Sequence, residues 1–485
     1  MQRAGAVATE PIHAGTRRRV VARVGRERGL KLIFDPLRTL LFLLIIVTIS
    51  RVHLHYSILA KFRPVLLLSF LAVGYAFLYP RSLAKSNVLR WWPMQMVALI
   101  AVLACLSVPF GISLGNSALF IIDDFGKTVA MAFLVALCVR DARDLYTMVW
   151  AYVASCGILS YFAVFVFQLV PGSGDTTRLA ELYTYDSNDL GVILMIGLAL
   201  NLLLMFVDRG LKRWLLLVNL VAIAAAMARS GSRGGFLGLV AVALSGLAFI
   251  NGVPFARRAS ILAVGLAALA FAAPAGYWRQ MSTILAPKQD YNYTYVDGRS
   301  ALMKRGFGYM MDRPLFGIGI WNFAKAECSI SPKIALNPQA GVRCIAPHNS
   351  VVQAAAELGI PGLVSWISLV FGLILGPLRL RRRLPDWRRG TSAQRFLYAG
   401  LGLFPVAICG FAVSSFFVTF AFAAPIYLMA ALTTGLYIAI ANERTGAGGV
   451  TGGVPSAPNR AAAGWRVARS AQAFSVFHKP LESAG

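Results

Sequence analysis

The sequence predicts an all-α fold, a polytopic transmembrane bundle of about twelve helices with one large polar loop between late spans. Three observations carry this. Hydrophobic residues make up 58% of the 485 positions, against 14% charged, and mean hydropathy is +0.66. The apolar runs are continuous rather than alternating, which argues against a β-barrel. The net charge of +27 falls in short patches between apolar runs, the pattern of basic cytoplasmic loops rather than of a nucleic-acid-binding surface.

The expected spans follow in order. They run over Leu37 to Ser50, Pro64 to Tyr79, Trp92 to Phe110, Ile121 to Val139, Leu145 to Val170 and Leu190 to Val207. The second half adds Trp214 to Ala228, Phe236 to Ile250, Ser260 to Ala273, Pro361 to Leu378, Phe396 to Phe416 and Phe420 to Ala441. The first apolar run follows a long arginine-rich stretch, so it reads as an anchor with the N-terminus inside. Arg81, Lys85 and Arg90, then Arg140 and Arg143, then Arg209, Lys212 and Arg213, then Arg257 and Arg258, then Arg379 to Arg383 all fall on loops this topology makes cytoplasmic. Arg51, Lys61 and Arg63 fall on the other side, and a re-entrant pair there would leave the later orientation unchanged.

This divides the chain into a basic cytoplasmic tail (1–36), nine helices (37–276), a periplasmic loop carrying short amphipathic helices and the catalytic residues (277–349), three helices (350–441) and a disordered cytoplasmic tail (442–485). Both tails are poor in large apolar residues and cannot offset the entropy of ordering. This topology puts the loop, and any site on it, outside the cytoplasmic membrane.

The loop is the informative segment. It carries Arg279, Arg299, Arg305, Arg313 and Arg343 and ends in Pro347-His348-Asn349. Arginines normally stay on the cytoplasmic side, so a cluster opposite points to a site holding an anionic substrate at the membrane surface. Three stretches compose it. Arg229-Ser230-Gly231-Ser232-Arg233-Gly234-Gly235 presents two guanidiniums and backbone donors where a helix from Phe236 opens, suited to a phosphate-bearing ligand or, equally, to an interfacial turn. Ala301 to Met311 reads as an amphipathic helix lying on the membrane, with Arg299 at its start and Arg305 within it, ended by Pro314 and Gly317. His348 opens a short helix, Val351 to Leu358, broken by Gly359-Ile360-Pro361-Gly362, and an imidazole there can take a proton from a hydroxyl near neutral pH. Glu357 is nine residues on, on another face, so no His-Glu dyad is read.

Asp186 and Asp189 are three apart and read better as a helix cap than as a glycosidase pair. Asp123, Asp124 and Lys127 have the spacing for local pairing on one helix face. No spacing suits Zn or Mg, so no metal is expected, and no residue pattern marks a cofactor site, so cofactors are expected to be none.

These residues resemble the O-antigen ligases and related bacterial polysaccharide polymerases. The likeness is carried by Ser232-Arg233-Gly234, Pro314-Leu315-Phe316-Gly317-Ile318-Gly319, and His348-Asn349-Ser350 followed by Glu357-Leu358-Gly359-Ile360-Pro361-Gly362-Leu363. A further element is Tyr185-Asp186-Ser187-Asn188-Asp189-Leu190, where Ser187 replaces a proline common in relatives. The likeness spans roughly Thr176 to Leu375.

The resemblance implies metal-independent transfer of a glycan from an undecaprenyl diphosphate carrier to lipid A core oligosaccharide, or to another lipid-linked repeat in a polymerase. Arg233 and Arg299 would steady the diphosphate and His348 would act on the acceptor hydroxyl. Arg229, Ser232, Arg305, Asn349, Asp186, Asn188 and Asp189 complete the expected substrate-binding set. Expected partners are the lipid-linked donor, the acceptor and membrane lipids, with no nucleic acid. Cys328 and Cys344 share the loop in an oxidising compartment and are expected to form a disulfide. A transporter of lipid-linked sugars is the competing class. It would place charges at the membrane midplane and show paired halves.

Overall fold

The structure, a computed structural model, describes residues 30–84, 86–171, 177–179, 185–250, 254–273, 276–285, 298–336 and 343–448. The expected tails at 1–29 and 449–485, Lys85, and 286–297 and 337–342 of the loop lie outside the described residues. Among the described residues the fold is helical apart from one small antiparallel pair, β1 (Leu169–Pro171) and β2 (Thr177–Leu179), with Leu169 opposite Leu179.

Among the described residues seven helices are long and apolar enough to cross a membrane: Trp92–Phe110, Ala142–Val166, Ser187–Val207, Leu211–Ser230, Ser350–Arg382, Ser392–Phe417 and Ala424–Thr445. Three shorter apolar helices, Pro36–Ser50, Pro64–Leu78 and Arg233–Phe249, join them in the bundle.

Ten helices matter for the site. In chain order they are α1 (Pro36–Ser50), α2 (Ala142–Tyr161), α3 (Ser187–Val207), α4 (Leu211–Ser230), α5 (Arg233–Phe249), α6 (Arg299–Asp312), α7 (Phe323–Ser329), α8 (Ser350–Arg382), α9 (Ser392–Ser414) and α10 (Ala424–Gly448). Because α10 continues to Gly448, helix replaces the start of the expected disordered tail at 442.

One end of the bundle is basic and pinned by buried polar clusters. Arg38 on α1 is fully buried; its Nε donates to Asp144 Oδ1 at 2.9 Å and its Nη2 to the Cys138 carbonyl at 2.7 Å. Nearby, the Tyr146 hydroxyl donates to Asp208 at 2.7 Å, tying the start of α2 to the end of α3. Removing one partner of such a buried pair strands a desolvated charge, so these clusters fix helix register.

The other end carries the motifs. Gly359 takes φ 69°, ψ −163° and breaks α8 into two helical pieces. A side chain there would strike the Pro314 carbonyl. The break admits the Pro314–Gly319 loop: Ile360 N donates to Pro314 O at 2.8 Å, Ile318 N to Ala356 O at 2.8 Å and Gly319 N to Glu357 O at 3.1 Å. The two glycine-containing motifs, some 40 residues apart in sequence, are thus two halves of one backbone junction.

Two expectations are corrected here. Asp123 and Asp124 do not pair with Lys127: among the described residues no ion pair joins them, because Ile121–Phe125 forms a π-helical turn. That turn changes the angular spacing on which i,i+3 and i,i+4 pairing depends. The amphipathic helix α6 forms, but it does not simply lie on a membrane. Leu302, Gly306, Tyr309 and Met310 are buried, and Gly306 sits against Val352 and Phe323, so much of the apolar stripe docks on α8 and α7 while Phe307 and Met311 stay exposed.

Candidate active site

The site is built on the segment Phe417–Phe420 between α9 and α10, onto which four other stretches close. His-Asn-Ser supplies the first joint. The His348 N–H donates to Thr419 Oγ1 at 3.1 Å. Asn349 Oδ1 accepts from Val351 N (3.0 Å) and Val352 N (3.1 Å), capping α8. Ser350 Oγ donates to Val418 O at 2.8 Å and accepts from Phe420 N at 2.9 Å. His348 has φ 45°, a left-handed conformation that costs a non-glycine residue on the order of 1 kcal/mol. The bonds on either side of it hold that conformation.

The second stretch is the turn between α4 and α5. Gly231 in the left-handed region (φ 59°) ends α4, and Ser232 Oγ accepts from Gly235 N at 2.9 Å, so α5 opens at Arg233 rather than at Phe236. A Cβ on Gly234 would lie 2.6 Å from Phe417 Cβ, and Ser414 Oγ donates to the Gly234 carbonyl at 2.9 Å. Only glycine lets this turn touch the Phe417 segment. Arg233 itself donates to Thr283 Oγ1 at 3.0 Å.

The third stretch is the start of α3. Asp186 and Asp189 form a reciprocal capping box, with Asp186 Oδ1 accepting from Asn188 N (2.7 Å) and Asp189 N (2.8 Å). Ser232 Oγ donates to Asn188 Oδ1 at 2.7 Å, which joins this cap to the α4–α5 turn. The fourth is Arg299 at the first position of α6, with its guanidinium carbon 5.6 Å from the Phe417 ring centre.

Electrostatics link three of these groups. Burial pulls the His348 imidazole below its ordinary value, the Arg299 guanidinium lowers it further, and Asp186 pushes the other way. A neutral imidazole beside a fixed cation, backed by a carboxylate, can accept a proton next to a bound anion.

The structure therefore brings Arg299, His348, Asp186, Asn188, Ser232 and the Arg233 turn around one segment, with Asp189 and Asn349 committed to caps. Two residues of the expected substrate-binding set are engaged elsewhere. Arg229 donates to the Ala163 carbonyl at 2.9 Å and the Phe167 carbonyl at 3.1 Å, closing the π-helical turn after α2. Arg305 pairs with the buried Glu327, Nη2 to Oε2 at 2.7 Å, in a cluster shared with Tyr309 and Lys333. Their partners explain both: each guanidinium satisfies buried acceptors that sequence spacing does not reveal.

Sequence reasoning missed Phe417 and Thr419, which sit in the short gap between two apolar runs and carry no charge to mark them. Arg51, which the expected topology already put on the outer side, was not counted with the site. The Arg51 guanidinium lies 4.1 Å from the ring centre of Tyr185, immediately before Asp186, and the Tyr185 ring faces Phe420. Cys328 and Cys344 are joined by a disulfide. Glu357 is spent on structure: its carboxylate accepts from Trp321 N at 2.6 Å and Phe323 N at 3.2 Å, capping α7. No group of three or more metal-ligating side chains occurs among the described residues.

Fold and site together define a multi-pass helical membrane protein with cations, a buried imidazole and capped helix ends gathered at one end of the bundle. Residues 217–367 match the family model described as O-Antigen ligase. The matched stretch contains the Ser232–Gly234, Pro314–Gly319, His348–Ser350 and Glu357–Leu363 motifs, and the Asp186 element lies before it. No curated protein matches the chain.

Proposed function

We propose that this protein transfers a glycan from an undecaprenyl diphosphate carrier to a hydroxyl of lipid A core oligosaccharide, at the periplasmic face of the bacterial inner membrane. The observation that carries the reading is the placement of Arg299 and His348 together against the Phe417–Thr419 segment, where burial and the Arg299 charge lower the imidazole's proton affinity. The acceptor hydroxyl attacks the anomeric carbon, His348 takes its proton, and the bond from that carbon to the diphosphate oxygen breaks with inversion. The departing diphosphate keeps the electron pair, and Arg299 and Arg233 offset its charge.

The basic loops at the opposite end support this sidedness through the positive-inside rule. Arg229 and Arg305 hold the scaffold rather than the donor in this scheme. Asp186 and Asn188 fix the floor of the site, through the cap on α3 and the bond from Ser232.

The test is a reconstituted assay that follows release of undecaprenyl diphosphate, run with wild type, Arg233→Ala, Arg299→Ala and His348→Ala. Loss of about a hundredfold or more in each variant is expected. Wild-type movement of intact donor without release points instead to a transporter. In a deletion strain, accumulation of long lipid-linked polymer identifies the ligase, and accumulation of single repeat units identifies a polymerase acting on the same donor.

A further inference from the structure

The end of the bundle opposite His348 holds a cavity of about 200 Å³ that the proposed reaction does not use. Arg381 at the end of α8, Arg388 in the following turn, and Arg395 and Tyr398 on α9 line one side of it; Phe206, Val207, Ile250 and Leu403 supply apolar wall. The described lining residues include three guanidiniums and no carboxylate. We propose that this cavity binds the phosphate of an anionic phospholipid, with the start of an acyl chain against the apolar wall.

Of the three cations, Arg381 is built into the fold, Arg395 is half-buried and Arg388 is exposed at the rim. Arg381 is buried, donates to the Phe249 carbonyl at the end of α5, and holds its guanidinium 4.8 Å from the Tyr398 ring centre. Asp386 grips Arg388 through two bonds of 2.6 and 2.8 Å, which orients the fork and removes one charge. Arg395 reaches Ser392 Oγ at 3.4 Å. Between positions 379 and 395 seven arginines stand against that one aspartate, so the region keeps a strong positive field. A planar guanidinium fork suits phosphate oxygens.

Size and position choose the ligand. The pocket is open on one side, and its volume is enough to seat a headgroup fragment. It lies at the start of α9, and the Phe417 segment follows that helix's other end. At about 1.5 Å per residue, α9 sets the two sites roughly 30 Å apart, the thickness of a hydrocarbon core. The cavity therefore faces the leaflet opposite the proposed reaction. A mixed cationic and apolar lining at that depth favours a lipid phosphate over a free anion. The helices that line it, α3, α5, α8 and α9, are those whose other ends adjoin Asp186, Arg233, His348 and Phe417.

The test is native mass spectrometry of the full-length protein, titrated in detergent with phosphatidylglycerol, phosphatidylcholine or inorganic phosphate. Wild type is expected to retain phosphatidylglycerol at least about tenfold better than phosphatidylcholine. Arg388→Glu/Arg395→Glu and the milder Arg388→Gln/Arg395→Gln are expected to abolish that preference. Arg382→Glu/Arg383→Glu, which changes exposed arginines on the same face outside the cavity, is expected to keep it; thermal unfolding checks that each variant is folded. Equal retention of the two lipids, equal loss in the Arg382/Arg383 control, an unchanged preference in folded cavity variants, or displacement of phosphatidylglycerol by equimolar phosphate would each overturn the proposal.

Discussion

Arg305 gives the sharpest check on how this end of the molecule is built. Its Nε lies 3.0 Å from both Glu327 oxygens and its Nη2 2.7 Å from Oε2, and the Glu327 side chain has no exposed area. Replacing Arg305 by Gln leaves a buried carboxylate short of its main partner. Breaking such a pair costs about 3–5 kcal/mol. Lys333 at 3.4 Å and the Tyr309 hydroxyl at 2.9 Å remain, so the lower value, about 3 kcal/mol, is expected. Hydrogen exchange over residues 298–336 reads this directly: local opening should increase about a hundredfold. Arg305→Gln/Glu327→Gln removes both charges, and most of the loss should return. Unchanged exchange in Arg305→Gln together with lost donor turnover would refute the structural role and place this guanidinium on substrate.

Three further outcomes are expected. Because burial and Arg299 lower the His348 value, the imidazole stays neutral, and kcat/KM persists, to a pH below about 6.5 before falling; Arg299→Gln should move that acid limb up and Asp186→Asn should move it down, as a pH-rate series will show. Gly234→Ala should strike Phe417 and cut turnover, whereas Gly246→Ala, whose nearest neighbour is Ile250 Cδ1 at 3.7 Å, should not. Cys328→Ser/Cys344→Ser should loosen the loop before His348 by about 3 kcal/mol, from the closure of a 16-residue separation, measured as faster exchange there and nowhere on α3.

The helical membrane class was legible in composition, because burying backbone in hydrocarbon demands helices and long apolar runs leave no other way to satisfy it. Of the twelve expected spans, seven coincide with helices long and apolar enough to cross a membrane and three with shorter apolar helices among the described residues, with differences at the ends where caps decide. Ser232 starts α5 three residues before its apolar run does. The motifs that hold His348, Arg299 and the Ser232–Gly234 turn were also readable, since glycines and unusual outer arginines stand out against an apolar background. Their roles were less so. Arg229 and Arg305 carry the same charge as Arg299, and nothing along the chain distinguishes them.

Composition and order along the chain were enough for the fold class, the basic and polar ends, and the residues worth watching. Partnership came only from the folded bundle. Which arginine meets a carbonyl or a buried carboxylate, and which comes to lie beside the imidazole, depends on contacts between segments tens to hundreds of residues apart, as in Arg299 with Phe417 or His348 with Thr419. Charge is a property of a residue, but its availability is set by the neighbours that packing supplies.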